Sequence, residues 1–304
     1  MNQKKYPSYL NLFENGELEE RVEKLIKKLQ NCDICPHSCK KNRLKGEVGI
    51  CKTGRYAYVS SFNLHFGEEP PISGFRGSGT IFFTNCNLSC IFCQNWNISQ
   101  GGDGFETSPH QLKEMMLELQ KLKAHNLNLV TPTHIVPQFL EALYLAIKEG
   151  FSLPIVYNSS GYDSVETLKM LDGIVDIYMP DAKYGDNFWA FKLSGVKNYV
   201  EISQKALKEM YRQVKEFETT NEGIAKKGVL VRHLILPEDK SSSFKVLDFL
   251  RENLDGALVA LLSQYWPSYN AYKFPEIMRR ITKEEYKRVI DYAKKIKIKN
   301  LYIQ

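Results

Sequence analysis

Apolar positions recur every three to four residues over 17–30, "ELEERVEKLIKKLQ", where Leu18, Val22, Leu25, Ile26 and Leu29 share one face. That spacing predicts an amphipathic helix. Further along, short apolar runs alternate with helical periods. The runs "TIFF" (80–83), "LNLV" (127–130), "PIVYN" (154–158), "IVDIYM" (174–179), "VLVRHLIL" (229–236) and "ALVALL" (257–262) read as strands. Helices are expected over 110–124, 137–149, 163–171, 200–217, 242–253 and 282–297. In the fourth of these, Ala206, Leu207, Met210, Tyr211, Val214 and Phe217 line one side. Such alternation predicts an α/β fold, a parallel sheet wrapped by helices. Six units make a partial (β/α)6 barrel whose functional loops follow the strand C-termini. The pattern fails over 31–55, which has too few apolar residues for a core of its own, and 63–79, "NLHFGEEPPISGFRGSG", reads as irregular. The expected organisation is an N-terminal amphipathic helix region (1–30), a four-cysteine segment (31–60) and a barrel domain (61–304).

Composition narrows this picture only slightly. The 304 residues suffice for one large α/β domain with an appendage or for two modest domains. The formal charge of +6 is concentrated at the ends. Residues 1–60 hold twelve Lys/Arg against seven Asp/Glu, and 273–304 hold ten against four. Basic ends fit either a nucleic-acid partner or solvated helix faces, and near the N-terminus they also fit compensation for metal-bound thiolates. The opening "MNQKKYPSYL" has charge without an apolar core behind it, and no apolar run reaches membrane-spanning length. The expectation is a soluble cytoplasmic protein with no membrane partner. In a reducing compartment, clustered cysteines read as metal ligands or redox groups rather than as disulfides.

Three of the seven cysteines, Cys86, Cys90 and Cys93, follow the first barrel strand at C-x3-C-x2-C spacing in "TNCNLSCIFCQNWN". Three thiolates with no fourth suit a [4Fe–4S] cluster with one iron left open, and an open metal position is a catalytic arrangement. Their loop position and polar flanks argue against three small core residues. Zinc prefers a closed set of four, and a catalytic thiol needs only one cysteine and a base.

Cys32, Cys35, Cys39 and Cys51 form C-x2-C-x3-C-x11-C, a complete set for either structural Zn²⁺ or a second [4Fe–4S] cluster. Only one C-x2-C knuckle occurs, which favours the cluster. His37 lies among them as a possible ligand or a surface histidine. The four-plus-three partition uses every cysteine.

"CNLSCIFC" resembles the signature of the radical S-adenosylmethionine (SAM) enzymes. The wider set "CDICPHSC", "GEVGIC", "LHFGEEPPISG", "NLVTPTH", "PIVYNSSGY", "VRHLILP" and "LLSQYWPSY" resembles the PflX-type proteins, relatives of pyruvate formate-lyase activating enzymes. The resemblance implies an open barrel in which SAM binds the open iron of the Cys86, Cys90 and Cys93 cluster. Reductive cleavage then gives a 5′-deoxyadenosyl radical that takes hydrogen from a substrate. It also implies an electron donor such as flavodoxin or ferredoxin, and a protein or peptide substrate such as a glycyl radical enzyme. Phe92 matches the family's apolar position beside adenine. Where many members carry a Gly-Gly-Glu-like motif, this chain reads "NLVTPTHIVP", so Thr131, Thr133 and His134 are the nearest polar groups.

Other candidates sit at strand ends. Asn158, Ser159 and His233 are expected at the cofactor, with loop capping (Asn158, Ser159) or a hydrogen-bonded interior position (His233) as the alternative, and Asn95 and Gln264 are expected there too. Asp181 and Lys183 in "MPDAKY" resemble a D-x-K of activating enzymes, against a plain surface ion pair. Glu68 and Glu69 line an entrance or simply cap a turn. The stretch "YWPSYNAYKF" (265–274) is a lid or, preferentially, packing under the barrel. Modification of RNA or a small metabolite is the competing substrate reading. A non-catalytic iron–sulfur electron-transfer protein is the competing class.

Overall fold

A computed structural model describes residues 5–304; residues 1–4 of the expected N-terminal region lie outside the described residues. Ten strands form the sheet: β1 (Ala57–His65), β2 (Ser78–Phe83), β3 (Phe105–Thr107), β4 (Leu127–Val130), β5 (Ile155–Ser159), β6 (Ile177–Pro180), β7 (Glu218–Thr219), β8 (Ala225–Leu234), β9 (Leu258–Leu262) and β10 (Asn300–Ile303). Their order is β10-β9-β8-β6-β5-β4-β2-β1-β3, with β7 paired to β8. From β2 through β10 that path is parallel throughout. The six expected strands thus form the barrel segment in sequence order. They were readable because both of their faces are covered by protein, which produces continuous apolar runs.

The helices are α1 (Tyr9–Glu14), α2 (Glu17–Lys28), α3 (Pro70–Ser73), α4 (Trp96–Ser99), α5 (Pro109–Lys121), α6 (Val136–Lys148), α7 (Val165–Lys169), α8 (Asn187–Ser194), α9 (Tyr199–Val214), α10 (Ser243–Asn253) and α11 (Lys283–Lys295). Ser108 and Thr282 start α5 and α11 through reciprocal capping boxes. Leu18 and Leu25 of α2 join the main core, so the N-terminal helix packs on the barrel. No helix among the described residues is long and apolar enough to cross a membrane.

The sheet extends beyond the expected six strands. Strand β1 pairs antiparallel with both β2 and β3, and β10 adds a parallel strand at the opposite edge. The stretch 63–79 is therefore not irregular throughout: it holds the end of β1, the short helix α3 and the start of β2. Strand β1 also spans residue 60, where the four-cysteine segment was expected to end. Its outer half is exposed, which removes the apolar run that marks the barrel strands.

Candidate functional site

The loop after β2 is built to hold three thiols at the sheet's C-terminal edge. Asn85 turns the chain there with φ 70°, a left-handed conformation that asparagine tolerates better than most residues. The loop then lies along the end of α8, with Ser89 N–H and Ile91 N–H donating to the Ser194 and Leu193 carbonyls at 3.1 and 2.9 Å. Each sulfur has a polar neighbour. Leu88 N–H donates to Cys86 Sγ at 3.4 Å, while Ser194 Oγ lies 3.0 Å from Cys90 Sγ and Ser99 Oγ lies 3.1 Å from Cys93 Sγ. Burial first, then the neighbouring Cys90 thiol, pushes Cys86 up to about 12. Thiolates here need a metal to displace their protons.

All three sulfur-bearing residues line one cavity of about 330 Å³. Its other walls include Asn95, Thr131, Asn158, Ser159, Gln264, Glu68, Asp181, Lys183 and Arg232. Lys183 Nζ pairs with Asp181 Oδ2 at 2.5 Å. Burial works against the Lys183 ammonium, but Asp181 and the Cys90 thiol hold its pKa above the ordinary lysine value. Arg232, from β8, is clamped by Glu68 and Glu69. Burial opposes its charge too, and the two carboxylates restore it. Glu68 also accepts from Asn128 Nδ2 at 2.9 Å. The walls thus present fixed groups of both signs beside three thiols, a set with partners for a metal centre and for a polar ligand carrying both charges.

Of the expected cofactor residues, Asn95, Thr131, Asn158, Ser159 and Gln264 reach this cavity. Four others face elsewhere. Thr133 donates to the buried Asp163 Oδ1 at 2.7 Å and does not line the cavity. His134 donates from Nε2 to the Thr84 carbonyl at 3.1 Å and supports the loop from behind; burial, then the nearby Arg43, lowers it to about 3. His233 is enclosed between the Ala182 carbonyl (2.6 Å) and Ser243 Oγ (2.9 Å), so it is an interior histidine. Phe92 does not line the cavity; it packs edge-on against Tyr265 at 5.7 Å, in an apolar cluster against which Cys86 and Cys90 also pack.

The aromatic stretch 265–274 is not packed under the barrel. Tyr265 is buried, but Trp266, Tyr269 and Tyr272 are exposed. The stretch lies against the cysteine loop, where Asn270 N–H donates to the Ile91 carbonyl at 2.8 Å and Trp96 stacks on Tyr269 at 5.3 Å. The sequence reading missed Arg232, His65 and Ser160 as cavity residues. Arg232 was hidden inside an apolar strand run, and the signal that could have found it is a charge with no room for solvent.

The four N-terminal cysteines gather in a turn-rich segment. Lys40 N–H donates to the Cys32 carbonyl at 2.9 Å, and Cys32 N–H to the Lys41 carbonyl at 3.0 Å. Gly49 lies against Cys39 Sγ, where a side chain would collide. Cys35 is near enough to Cys51, Cys32 and Cys39 for their charges to act on it, although burial is the larger influence raising it to about 12. His37 does not point at the thiols: its Nε2 donates to the Asn87 carbonyl, 2.7 Å away. Among the described residues, no three His, Cys, Asp or Glu side chains converge as ligands of one metal ion.

A family model described as "Radical SAM superfamily" matches residues 80–232. An uncharacterized protein of Methanocaldococcus jannaschii, MJ0674, is 35% identical over 294 residues, covering 94% of this chain and 80% of that protein. Among solved structures, the chain is similar to methylornithine synthase (PylB) at 17% identity and TM-score 0.48, covering 69% of this chain and 59% of that one. It is similar to HydG, a maturase of the [FeFe]-hydrogenase, at 12% identity and TM-score 0.49, covering 72% and 48%. The third is Streptococcus suis SuiB, at 14% identity and TM-score 0.47, covering 73% and 47%. The chain spans roughly half the length of these three structures.

Proposed function

Because the chain belongs to the radical SAM superfamily, we propose that Cys86, Cys90 and Cys93 hold its [4Fe–4S] cluster and that the adjoining cavity takes SAM. Bound there, the two cofactors supply one-electron cleavage of the sulfonium and a 5′-deoxyadenosyl radical that abstracts hydrogen. The observation that carries this reading is the placement of all three thiols on the wall of one cavity that also holds the Asp181–Lys183 pair. The Ser194 and Ser99 hydroxyls would donate to the Cys90 and Cys93 thiolates, stabilising their negative charge and so favouring the reduced state of a cluster held there. Lys183 offers a cation to the SAM carboxylate. Glu68 and Asp181 offer acceptors to its amino group, in place of the missing Gly-Gly-Glu-like motif. Asn95, Thr131, Asn158, Ser159 and Gln264 orient the remainder by hydrogen bonding. The four N-terminal cysteines bind a metal centre of their own.

The substrate reading is a protein or peptide, in the manner of a glycyl-radical activating enzyme, with flavodoxin or ferredoxin as donor in the cytoplasm. The exposed aromatic residues beside the cysteine loop support a substrate larger than the cavity. RNA is the second reading, because Arg280 lies over Trp266 at 4.2 Å and Lys273 beside Tyr272, an aromatic and basic surface suited to stacked bases. Electron paramagnetic resonance (EPR) on reduced enzyme, SAM and a candidate glycyl radical enzyme separates the two. A stable glycyl radical supports the protein substrate, and deoxyadenosine formation stimulated only by RNA overturns it.

A further inference from the structure

Arg43 is a buried cation with no carboxylate partner. It is 1% exposed and takes part in none of the ion pairs among the described residues. Its Nε donates to the Gly54 carbonyl at 3.0 Å and its Nη1 to the His134 carbonyl at 2.9 Å. Nη1 also lies 3.8 Å from Cys32 Sγ, and Nη2 is buried with no hydrogen-bond partner at all. Leaving a charged donor buried and unpaired costs several kcal/mol, so a guanidinium in this position calls for an anion beside it. The four thiols supply one once they bind a metal: four thiolates on a [4Fe–4S]²⁺ core carry a net charge of −2.

The sequence supplies a single C-x2-C knuckle, where structural zinc sites commonly pair two, and the segment is tied by hydrogen bonds to the loop that carries Cys86, where a redox-active centre has a neighbour to serve and a zinc ion has none. The flanking backbone is shaped for a purpose other than packing. Ser38, Lys40 and Lys52, each next to a cysteine, adopt φ of 43, 57 and 50°. Strain of this kind in non-glycine residues is held where a site requires it.

The geometry points to a second, fully ligated [4Fe–4S] cluster on Cys32, Cys35, Cys39 and Cys51, neutralised by Arg43 and serving as the entry point for electrons to the catalytic loop. The role, though not the cluster itself, rests on the radical SAM reading. Two contacts join the centres: His37, two residues from Cys35, donates to Asn87, next to Cys86, and Asn85 Nδ2 reaches Thr53 Oγ1 at 3.4 Å. Lys40, Lys41, Lys45 and Lys52 are exposed around the segment, a basic face for an acidic, low-potential one-electron carrier. One electron leaves the carrier, reduces the N-terminal cluster from 2+ to 1+, and passes on to the catalytic cluster, returning the first to 2+.

Metal analysis of the anaerobically purified full chain gives about eight irons and no zinc if this holds. About four irons with one zinc overturns it and leaves the catalytic reading intact. The triple variant C86A/C90A/C93A isolates the N-terminal centre: it retains about four irons with a [4Fe–4S] EPR signal on reduction, and zinc or no metal in folded protein overturns the inference. Arg43→Met lowers the midpoint potential of that signal at unchanged iron content, since a cation favours the more negative reduced cluster. An unmoved potential refutes the charge role. In C35A/C51A, dithionite still reduces the catalytic cluster while reduction by a flavodoxin-type donor is lost; undiminished reduction by the protein donor overturns the relay.

Discussion

Glu68 and Arg232 meet at the cavity that holds the three catalytic-loop thiols, with Glu68 arriving from the β1–β2 connection and Arg232 from near the C-terminal end of β8. The pair ties an antiparallel extension of the sheet to the far side of the barrel. Glu69 completes the clamp, with its Oε1 accepting from Arg232 Nε at 2.9 Å. Removing the cation leaves two adjacent buried carboxylates. Arg232→Met is therefore expected to lower stability by about 3–5 kcal/mol, read by denaturant unfolding. The triple change E68Q/E69Q/R232M recovers part of that loss.

The Asp181–Lys183 pair predicts a binding effect. Lys183→Met removes a cation from the cavity wall and leaves Asp181 unpaired. SAM affinity, measured by equilibrium dialysis on cluster-loaded protein, is expected to fall at least about tenfold, or ~1.4 kcal/mol. Lys183→Arg retains more affinity than the methionine variant.

Gly161, in the turn after β5, has φ 73°, and a Cβ there would strike the Asp181 carbonyl oxygen. Gly161→Ala strains the backbone and displaces the strand end that carries Asp181. The expected result is a loss of about 1–3 kcal/mol in stability together with weaker SAM binding.

Asp176 predicts a pH dependence. Burial, partly offset by hydrogen bonds from Ser8 and Ile155, raises its carboxyl from 3.8 to about 6. Because the folded value lies above the unfolded one, the native state binds more protons between the two. Stability therefore falls as pH rises from about 4 to about 6, by on the order of 3 kcal/mol from this group. Urea midpoints across that range test the slope, and Asp176→Asn flattens it.

The parallel strands were legible because coverage on both faces writes itself as unbroken apolar runs. Strands β1 and β3 were not, since one side of each is open to solvent and their residues alternate weakly. Helix α8 escaped notice because "NFWAFKLS" carries aromatics around its whole circumference, with Phe188 and Phe191 exposed. Cysteines declare their chemistry by type and spacing, so both sets were visible at once. The buried cations were not: Arg232 and Arg43 lie far apart in the chain, and only the fold shows Arg232 clamped by Glu68 and Glu69, two carboxylates that the sequence offered as entrance or turn residues, and Arg43 buried beside Cys32. His134 and His233 misled for the converse reason. Residue type suggested a ligand contact, whereas both nitrogens of His233 are taken by the Ala182 carbonyl and Ser243, and His134 is buried behind the loop with its Nε2 on the Thr84 carbonyl.

The central claim is that Cys86, Cys90 and Cys93 support cleavage of SAM. The direct measurement is anaerobic incubation of iron-loaded, dithionite-reduced protein with SAM, followed by chromatography for 5′-deoxyadenosine. The nucleoside is expected from the unaltered chain and is absent from Cys90→Ala. A protein that takes up iron, cycles reversibly between redox states and yields no 5′-deoxyadenosine would contradict the account and mark the chain as an electron carrier.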